Sequence, residues 1–448
     1  MNKQVEDPAP REGNGRENIL IRAGWLVTLD DAGRVVTRQD QAVACTRGEI
    51  VYAGDPAGLP QDFQAGRTID ARDGVVMPGM VNSHNHAAMT LLRGYADDMP
   101  LMQWLQEKVW PAEARLTGDD IYWGTLLAIA EQFRSGITAF ADMYFFMDQV
   151  AQATVEAGAR AYLCRGLIGT APGAEQGLRE GVDLVERWHG AAGGTVRAGL
   201  GPHAPYTCPD AFIQEVLAEA RRLEAGIQIH LAETEAEVEQ IRAEKGMSPI
   251  AWAARQGILE RPVLAAHCVH LDADDIKLLA ETGTFVSHNP VSNLKLASGI
   301  APVAELLAGG VKVALGTDGA CSTNQLNMFD HMRLAAVLQK ARTGDAAVVG
   351  AADVFRMATV DGAEACGFER VGRIAEGWRA DLVVVDLTAP HMNPHHDILS
   401  LLVYSARPED VRTVVVDGRP VMVDREMVTL DEARVIAECG ARARRLVE

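Results

Sequence analysis

The rhythm of apolar and polar positions changes twice along the chain. Over residues 19–70, short apolar runs are separated by turn residues, a pattern typical of β-strands. From about Val75, apolar strands alternate with stretches such as residues 117–135, which carry apolar residues at helical spacing. Strand-like runs return near the end, where Asp417-Gly418 predicts a hairpin turn. The chain therefore divides into a strand-rich beginning, an alternating middle and a strand-rich end.

The alternating middle predicts the fold class. Eight strands with intervening helices can be counted from Val76 onward, which favours a (β/α)₈ TIM barrel over an open doubly wound sheet. The two strand-rich ends flank this barrel, so we expect them to form one small composite β-sandwich domain. The predicted divisions are a disordered tail at 1–18, the first part of the sandwich at 19–74, the barrel at 75–370, and the second part of the sandwich with a C-terminal helix at 371–448. The strands predicted in the last division cover 380–386, 401–404 and 411–423.

Composition narrows the classes of partner. The chain has 448 residues, with 42 basic and 61 acidic side chains and a net charge of -19. An acidic chain without a basic stretch cannot neutralise phosphates, so nucleic acids and anionic membranes are not expected partners. No apolar run is long enough to span a bilayer, and the polar first residues lack the apolar core of a signal peptide. We expect a homo-oligomer that acts on a small molecule.

The cysteines indicate the redox compartment. There are seven of them, an odd number, and they lie far apart without a Cys-x-x-Cys pair. A disulfide framework and a thiolate zinc site are therefore not expected, and the pattern fits a reducing cytoplasm.

Polar residues with ligand chemistry follow the predicted barrel strands. His84 and His86 are separated by one residue, so in an extended strand they point to the same side and can bind one metal ion. A lone histidine after an apolar run is more often structural than a ligand. Repetition favours the ligand here, because further polar side chains end later strands: His203, His230, Glu233, His267, His288 and Asp318. In a barrel these strand ends share one rim, where active sites lie.

These strand ends carry a resemblance to a known family. Four segments resemble the motifs of the amidohydrolase superfamily, at residues 78–86, 230–233, 267–270 and 316–320. Further segments are similar to the 5-methylthioadenosine/S-adenosylhomocysteine deaminases, at residues 89–94, 201–206, 287–296 and 299–302. The similarity runs from about Ile19 to the end of the chain. It implies a hydrolytic deaminase of adenine nucleosides on a TIM barrel.

The resemblance also implies a metal site. It assigns His84, His86, His230 and Asp318 as the metal ligands. This set leaves one coordination position open for water. Relatives with two metal ions carry a bridging lysine at the end of strand four, where this chain has the segment 201–203 without lysine. We therefore expect one ion per chain. Zinc suits these nitrogen and oxygen ligands, and iron stays open.

The same resemblance gives three residues catalytic roles. Glu233, three residues beyond His230, is expected to protonate a ring nitrogen and later to carry a proton. Asp318 is expected to accept the proton of the attacking water. His267 is expected to hydrogen-bond the attacking oxygen and to stabilise its charge.

Substrate contacts are implied for five further residues. Glu113 would bind the ribose hydroxyls, His203 would contact the nucleoside, and Trp104 would cover the ligand. Arg165 would meet a homocysteine carboxylate, and Ser322 would touch the base. Surface, ion-pair or packing roles remain the alternatives for Glu113, Arg165 and Trp104.

Two details of the sequence depart from a simple assignment. The family often has a second arginine after strand three, but here Arg179 aligns with it only across a gap, which weakens the case for S-adenosylhomocysteine. His395 and His396 form a pair in a predicted loop. The pair has two interpretations, a second metal site or two side chains that are simply exposed to solvent.

We thus expect a mononuclear metal-dependent deaminase that acts on adenosine, 5-methylthioadenosine or S-adenosylhomocysteine. One alternative is an enzyme of the same superfamily that acts on guanine, an oxidised purine, a pterin or an s-triazine. A second alternative, from another class, is a non-catalytic scaffold on this fold.

Overall fold

The computed structural model describes residues 17–448, and the predicted tail lies outside this part of the chain except for Glu17 and Asn18. Within it, sixteen strands form two eight-stranded sheets. The strands are β1 (Ile19–Leu29), β2 (Val35–Thr46), β3 (Glu49–Gly54), β4 (Arg67–Pro78), β5 (Met80–Asn85), β6 (Ile137–Tyr144), β7 (Arg160–Leu167), β8 (Val196–Pro202), β9 (Ile227–Leu231), β10 (Val263–His267), β11 (Phe285–His288), β12 (Val313–Leu315), β13 (Leu382–Asp386), β14 (Val411–Val416), β15 (Arg419–Val423) and β16 (Glu426–Met427).

Helices connect the strands of the second sheet and cover it. The α-helices are α1 (Leu101–Trp104), α2 (Trp110–Glu113), α3 (Gly118–Arg134), α4 (Met147–Ala157), α5 (Ala174–Trp188), α6 (Ala191–Gly194), α7 (Asp210–Arg222), α8 (Glu235–Lys245), α9 (Pro249–Gln256), α10 (Ala273–Thr282), α11 (Pro290–Lys295), α12 (Val303–Ala308), α13 (Ala320–Thr323), α14 (Met328–Thr343), α15 (Ala351–Met357), α16 (Val360–Ala365), α17 (Ile398–Tyr404) and α18 (Glu432–Val447). A π-helical turn, Leu105–Val109, joins α1 to α2. No helix of residues 17–448 is both long and apolar enough to cross a membrane.

The second sheet is the predicted barrel. Its strands follow one another in the order β5 to β12, and every pair in it is parallel. The first and last strands approach where Thr317 N and Asp318 N donate to the carbonyl of His84, at 3.1 and 2.9 Å. Because the strands are parallel, their carboxyl ends form one rim, and the side chains that follow them share it.

The first sheet combines both ends of the chain, as predicted. β13 pairs antiparallel with β4, with Val384 opposite Val76, so the C-terminal strands continue the N-terminal ones in a single sheet. One apolar face of this sheet forms a shared core that includes Ile21, Val43 and Leu382. The pairing in this sheet is mixed, because β1 runs antiparallel to β2 and parallel to β4.

The strand predicted to start at Val76 is two strands. β4 ends at Pro78 within the terminal sheet, and the barrel strand β5 begins at Met80. Gly79 lies between them, where a Cβ atom would come within 2.1 Å of the Thr138 side chain. The apolar run continues through this junction, and the pattern of apolar positions therefore hid the change of sheet.

The strand predicted at 401–404 is also wrong, because these residues end α17. The helix begins after Asp397, whose side chain accepts a hydrogen bond from Ser400 N at 3.1 Å. Leu402 and Val403 are buried. A short apolar run is compatible with a buried strand or a buried helix, and the N-cap decides the outcome here.

A buried ionic cluster joins the two sheets. Arg160, on barrel strand β7, lies 2.6 Å from Asp381 and 2.7 Å from Asp417, and its side chain is 3% exposed. Asp381 also accepts a hydrogen bond from Asp417 N at 2.8 Å. The cluster holds the base of β7 against the β14–β15 hairpin of the terminal sheet.

Candidate active site

Ligand-type side chains converge on the carboxyl rim of the barrel. The carboxylate oxygen Oδ1 of Asp318 lies 3.2 Å from Nε2 of His86 and 3.6 Å from Nε2 of His84. The rings of His84 and His230 have centroids 4.8 Å apart. The structure therefore brings together four residues that were predicted as metal ligands, from strands at opposite ends of the sequence.

Two of the histidines are oriented by main-chain carbonyls. Nδ1 of His86 lies 2.6 Å from the carbonyl of Met143, and Nδ1 of His230 lies 2.8 Å from the carbonyl of His203. A carbonyl can only accept, so Nδ1 carries the proton in both rings. The lone pair of each Nε2 is then free to bind a cation, which is the usual arrangement of a histidine ligand.

His84 shows an unsatisfied atom that a metal would satisfy. Its Nε2 is buried and has no hydrogen-bond partner among the described residues, and Oε1 of Gln228 is in the same condition. The Gln228 amide nitrogen lies 3.1 Å from Nδ1 of His84. If the side-chain amide of Gln228 is flipped, so that its oxygen and nitrogen exchange places, the oxygen accepts the Nδ1 proton of His84. Nε2 of His84 then keeps a lone pair for an ion. The residues present thus fit a metal.

Asp318 is held in a specific orientation. Its φ angle of 65° places it in the left-handed region. Oδ2 accepts hydrogen bonds from Ser292 Oγ at 2.6 Å and from Ser322 Oγ at 2.9 Å, while Oδ1 faces the histidines. Burial opposes ionisation, but the proximity of His86 and of the other imidazoles outweighs it and holds the pKa of Asp318 well below its usual range.

His267 lies beside the ligand group. Two sets of three residues have ligand atoms within 4.8 Å of one another: His84, His230 and His267, and His84, His86 and Asp318. Nδ1 of His267 lies 2.8 Å from Oδ1 of Asn293, and its Nε2 lies 3.8 Å from Oε2 of Glu233. Nitrogen and oxygen donors of this kind suit zinc. His395 and His396 belong to neither set.

Glu233 is a buried carboxyl group in the same site. It is 8% exposed, and Ser298 Oγ donates to its Oε1 at 3.3 Å. Burial raises the pKa of Glu233. The ring of His270, two residues after Cys268, hydrogen-bonds the carbonyl of Ser298 at 2.6 Å and so supports this contact. A carboxyl group with a raised pKa binds a proton more readily than usual and can give it up to a base.

A cavity connects these residues with the predicted substrate contacts. Four of those contacts line it, namely Trp104, Glu113, His203 and Ser322. His86, His230, Asp318 and Glu233 line the same cavity. The rest of the lining is largely apolar and is formed by Met89, Leu105, Val109, Trp110, Met143, Tyr144, Phe145, Gly166, Ile168, Tyr206 and Leu296.

Glu113 ends helix α2 and reaches into this cavity. Tyr144 OH donates to its Oε1 at 2.6 Å, and burial raises the pKa of Glu113 to about 7. Trp104, on α1, is buried, and its indole nitrogen donates to the carbonyl of Ala96 at 2.9 Å. The turns α1 and α2 thus form a wall of the cavity that carries both an aromatic ring and a carboxylate.

The two arginines lie outside the lining. Nε of Arg165 lies 3.0 Å from Glu180 on α5, and its guanidinium stacks at 5.0 Å over the ring of Phe145. Arg179 is exposed and bonds Gln176. Arg165 pairs with Glu180 in this structure, and its contact with a homocysteine carboxylate stays a prediction.

Several residues of the site were not predicted. Tyr144 is the last residue of β6 and Phe145 follows it, and the signal for both was their place at the end of a barrel strand. Ser292 and Asn293 lie in the segment 287–296, which was noted only as a motif. Their partners Asp318 and His267 lie 26 residues away, so the sequence gave no indication of these hydrogen bonds.

A parallel barrel with a metal-capable group of histidine and aspartate side chains at its carboxyl rim is typical of hydrolases of the amidohydrolase type. Residues 75–421 match the Amidohydrolase family. A 5-methylthioadenosine/S-adenosylhomocysteine deaminase from Desulforudis audaxviator (strain MP104C) is 56% identical over 431 residues, which cover 96% of this chain and 99% of that protein. The chain belongs to the amidohydrolase family, within the group of 5-methylthioadenosine/S-adenosylhomocysteine deaminases.

Solved structures share the same architecture. An adenosine deaminase from Xanthomonas campestris with bound zinc superposes with a TM-score of 0.92 at 39% identity, covering 96% of this chain and 98% of that one. An atrazine chlorohydrolase from Arthrobacter aurescens TC1, complexed with zinc, has a TM-score of 0.88 at 24% identity and covers 95% of this chain and 100% of its own. The second likeness concerns the fold alone.

Proposed function

We propose that this protein is a hydrolytic deaminase of adenine nucleosides that uses one zinc ion. The observation that carries the proposal is the shared cavity of Glu233 and Glu113. Both side chains line the cavity together with His86, His230 and Asp318, and Oε2 of Glu233 lies 3.8 Å from Nε2 of His267. A nucleoside has a reacting ring at one end and vicinal hydroxyls at the other, and this cavity offers a partner to each.

The ion would be held by His84, His86, His230 and Asp318. These residues leave a coordination position open, as catalytic zinc sites do. When bound, zinc lowers the pKa of water to about 7 and so supplies a nucleophile at neutral pH. His267 is assigned a separate role because its Nε2 also faces Glu233.

Glu233 acts as the proton donor to the ring. Replacing the amino group requires a proton on the neighbouring ring nitrogen while the oxygen of water bonds to the carbon. Burial raises the pKa of Glu233, so its carboxyl group can carry that proton into the reaction. After the carbon–nitrogen bond breaks, Glu233 takes back a proton from the new hydroxyl, which becomes the carbonyl of the product.

Asp318 and His267 interact with the attacking water oxygen. Asp318 accepts the first proton of water on Oδ1, the oxygen that faces the imidazoles, and this proton leaves with the amine as ammonia. His267 donates a hydrogen bond from Nε2 to the attacking oxygen and stabilises the negative charge that develops there. Its ring is held by the side-chain amide of Asn293, which lies 2.8 Å from Nδ1.

Glu113 binds the ribose. Its carboxylate can accept from two vicinal hydroxyls, and each charge-assisted hydrogen bond contributes about 1.5–3 kcal/mol. Tyr144 holds one oxygen of this carboxylate and thereby fixes the direction of the other. His203 and Trp104 line the same cavity and would contact the nucleoside, and Ser322, which donates to Asp318, would touch the base.

The cavity favours nucleosides with a neutral 5′ substituent. No arginine or lysine lines it among the described residues, and the lining includes apolar side chains such as Trp110, Phe145 and Ile168. A thioether or a hydroxyl is compatible with this wall, whereas a homocysteine carboxylate would lack a cation. We therefore propose adenosine and 5-methylthioadenosine ahead of S-adenosylhomocysteine.

Location and assembly are proposed from the chain as a whole. All seven cysteines are free and buried, which fits the reducing cytoplasm. A homo-oligomer stays a prediction.

A panel of substrates tests the function. Ammonia release is measured with the zinc-loaded protein on adenosine, 5-methylthioadenosine, S-adenosylhomocysteine, guanine, an oxidised purine, a pterin and an aminotriazine. We expect the neutral nucleosides to be the best substrates. A preference for guanine or a triazine would overturn the nucleoside proposal, and no ammonia from any compound would favour the scaffold.

A further inference from the structure

The loop that carries Glu233 is held by a second buried carboxylate. β9 ends at Leu231, and Ala232 follows with a φ angle of 51°, in the left-handed region. The backbone N–H groups of Ala232 and Glu233 both donate to the side chain of Glu237, at 2.9 and 2.8 Å. A single carboxylate thus fixes two successive peptide groups in a sharp bend.

Glu237 is suited to this task by its position in α8. Thr234 is the N-cap of the helix, and Glu237 is the third helical residue, whose N–H donates to Thr234 Oγ1 at 3.1 Å. In an ordinary capping box the side chain at this position reaches back to the N-cap N–H. Here it passes the N-cap and reaches the two preceding residues instead. It is 5% exposed, so water does not replace these bonds.

The bend also connects to the loop after His267. The carbonyl of Ala232 accepts from Val269 N at 2.9 Å and from His270 N at 3.0 Å. The peptide group between Ala232 and Glu233 is therefore held from both sides. Its N–H donates to the side chain of Glu237, and its carbonyl accepts from the loop that follows β10. Glu233 and His267, whose side chains lie 3.8 Å apart, are carried by these two joined segments.

We infer that Glu237 is a positioning residue for deamination, which holds the carboxyl group of Glu233 towards the substrate and towards His267. The inference rests on the proposed function of Glu233. Without Glu237, two buried N–H groups lose their acceptor and the left-handed bend at Ala232 loses its support. Glu233 then samples other orientations, while the metal ligands keep their own hydrogen bonds.

The chain offers a matched control in Asp275. It is also a buried carboxylate at the third position of a helix that follows a barrel strand, in α10, and it is 2% exposed. Its partners are Ser248 and the Asp272 backbone, away from the cavity lining. Removing it costs helix-capping hydrogen bonds of the same type without touching the loop of Glu233.

The experiment compares Glu237→Ala, Glu237→Gln and Asp275→Ala in the zinc-loaded protein, with adenosine as substrate. For Glu237→Ala we expect kcat to fall at least about tenfold, with KM changed less than about threefold and metal content unchanged. Glu237→Gln keeps one carbonyl acceptor and should recover part of kcat. Asp275→Ala should lower the unfolding midpoint and leave kcat within about twofold.

A double-mutant cycle separates positioning from general damage. In the Glu233→Gln background, adding Glu237→Ala should change kcat by less than about twofold, because its effect passes through Glu233. Equal losses with and without Glu233 would overturn the inference, as would normal kcat in a folded, metal-loaded Glu237→Ala protein. If Glu233→Gln itself keeps normal turnover, the proposed function of Glu233 fails instead, so the two failures are distinct.

Discussion

The Oδ1 atom of Asp318 lies 3.2 Å from Nε2 of His86, although 232 residues separate them along the chain. The contact follows from barrel closure, because Asp318 N donates to the carbonyl of His84 at 2.9 Å. The hydrogen bond that brings the last strand to the first therefore also places the carboxylate beside both histidines. Fold and metal site depend on the same few backbone atoms.

The metal content follows from this arrangement. We expect one equivalent of zinc per chain, measured by elemental analysis after gel filtration, with iron as the other metal that these ligands accept. His230→Ala should lose the metal, because it removes one of three imidazoles. His396→Ala is the matched control, since His396 is exposed and belongs to no metal-capable group, and it should retain the ion. Two tightly bound ions in the unmodified protein would contradict the mononuclear site.

Turnover should depend on the proton that Glu233 carries. Glu233→Gln preserves the shape of the side chain but cannot donate and recover a proton, so kcat on adenosine should fall by about a hundredfold or more. Metal content and nucleoside binding, followed by titration calorimetry, should persist. Near-normal turnover would remove Glu233 from the mechanism.

Substrate selectivity should not depend on Arg165, because Glu180 already neutralises its guanidinium behind Phe145. We expect 5-methylthioadenosine to exceed S-adenosylhomocysteine in kcat/KM by about tenfold, the size of one unmade charge-assisted hydrogen bond. Arg165→Ala should change the ratio of the two values by less than about threefold. A selective loss of activity on S-adenosylhomocysteine would show instead that Arg165 reaches its carboxylate.

The buried cluster between the two sheets should contribute strongly to stability. Arg160→Ala leaves Asp381 buried without its charge partner, a change that typically costs about 3–5 kcal/mol. The free energy of unfolding is measured in urea. The control is Lys277→Ala, which breaks an exposed pair with Glu281 and should cost at most about 1 kcal/mol. Similar values for the two variants would show that the cluster does not stabilise the junction.

The sequence predicted those parts of the fold that repeat. Barrel strands recur with helices between them, and polar side chains recur at their ends, so the rim that holds His84, His230 and Asp318 was visible from the pattern. Composite pairing of the two chain ends was also predicted, and the antiparallel pairing of β13 with β4 confirms it. These features depend on periodicity, which a single sequence contains.

Features that depend on one local contact were missed. The division at Gly79 follows from its close approach to Thr138, and the helix at 398–404 follows from the Asp397 cap. Neither changes the apolar pattern. Arg165 lies on β7 and pairs with Glu180 on the following helix, a contact that the apolar pattern does not indicate.

The most direct test of nucleoside recognition is the effect of Glu113→Ala on two substrates. Adenosine has ribose hydroxyls for this carboxylate and adenine has none, while both present the same ring to the metal ligands and Glu233. We predict that kcat/KM for adenosine falls at least about tenfold, as expected for the loss of one or two charge-assisted hydrogen bonds, and that the weak activity on adenine stays within about twofold. An equal loss on both substrates, or no loss on adenosine, would contradict the assignment of Glu113 to the ribose and with it the nucleoside specificity proposed for this enzyme.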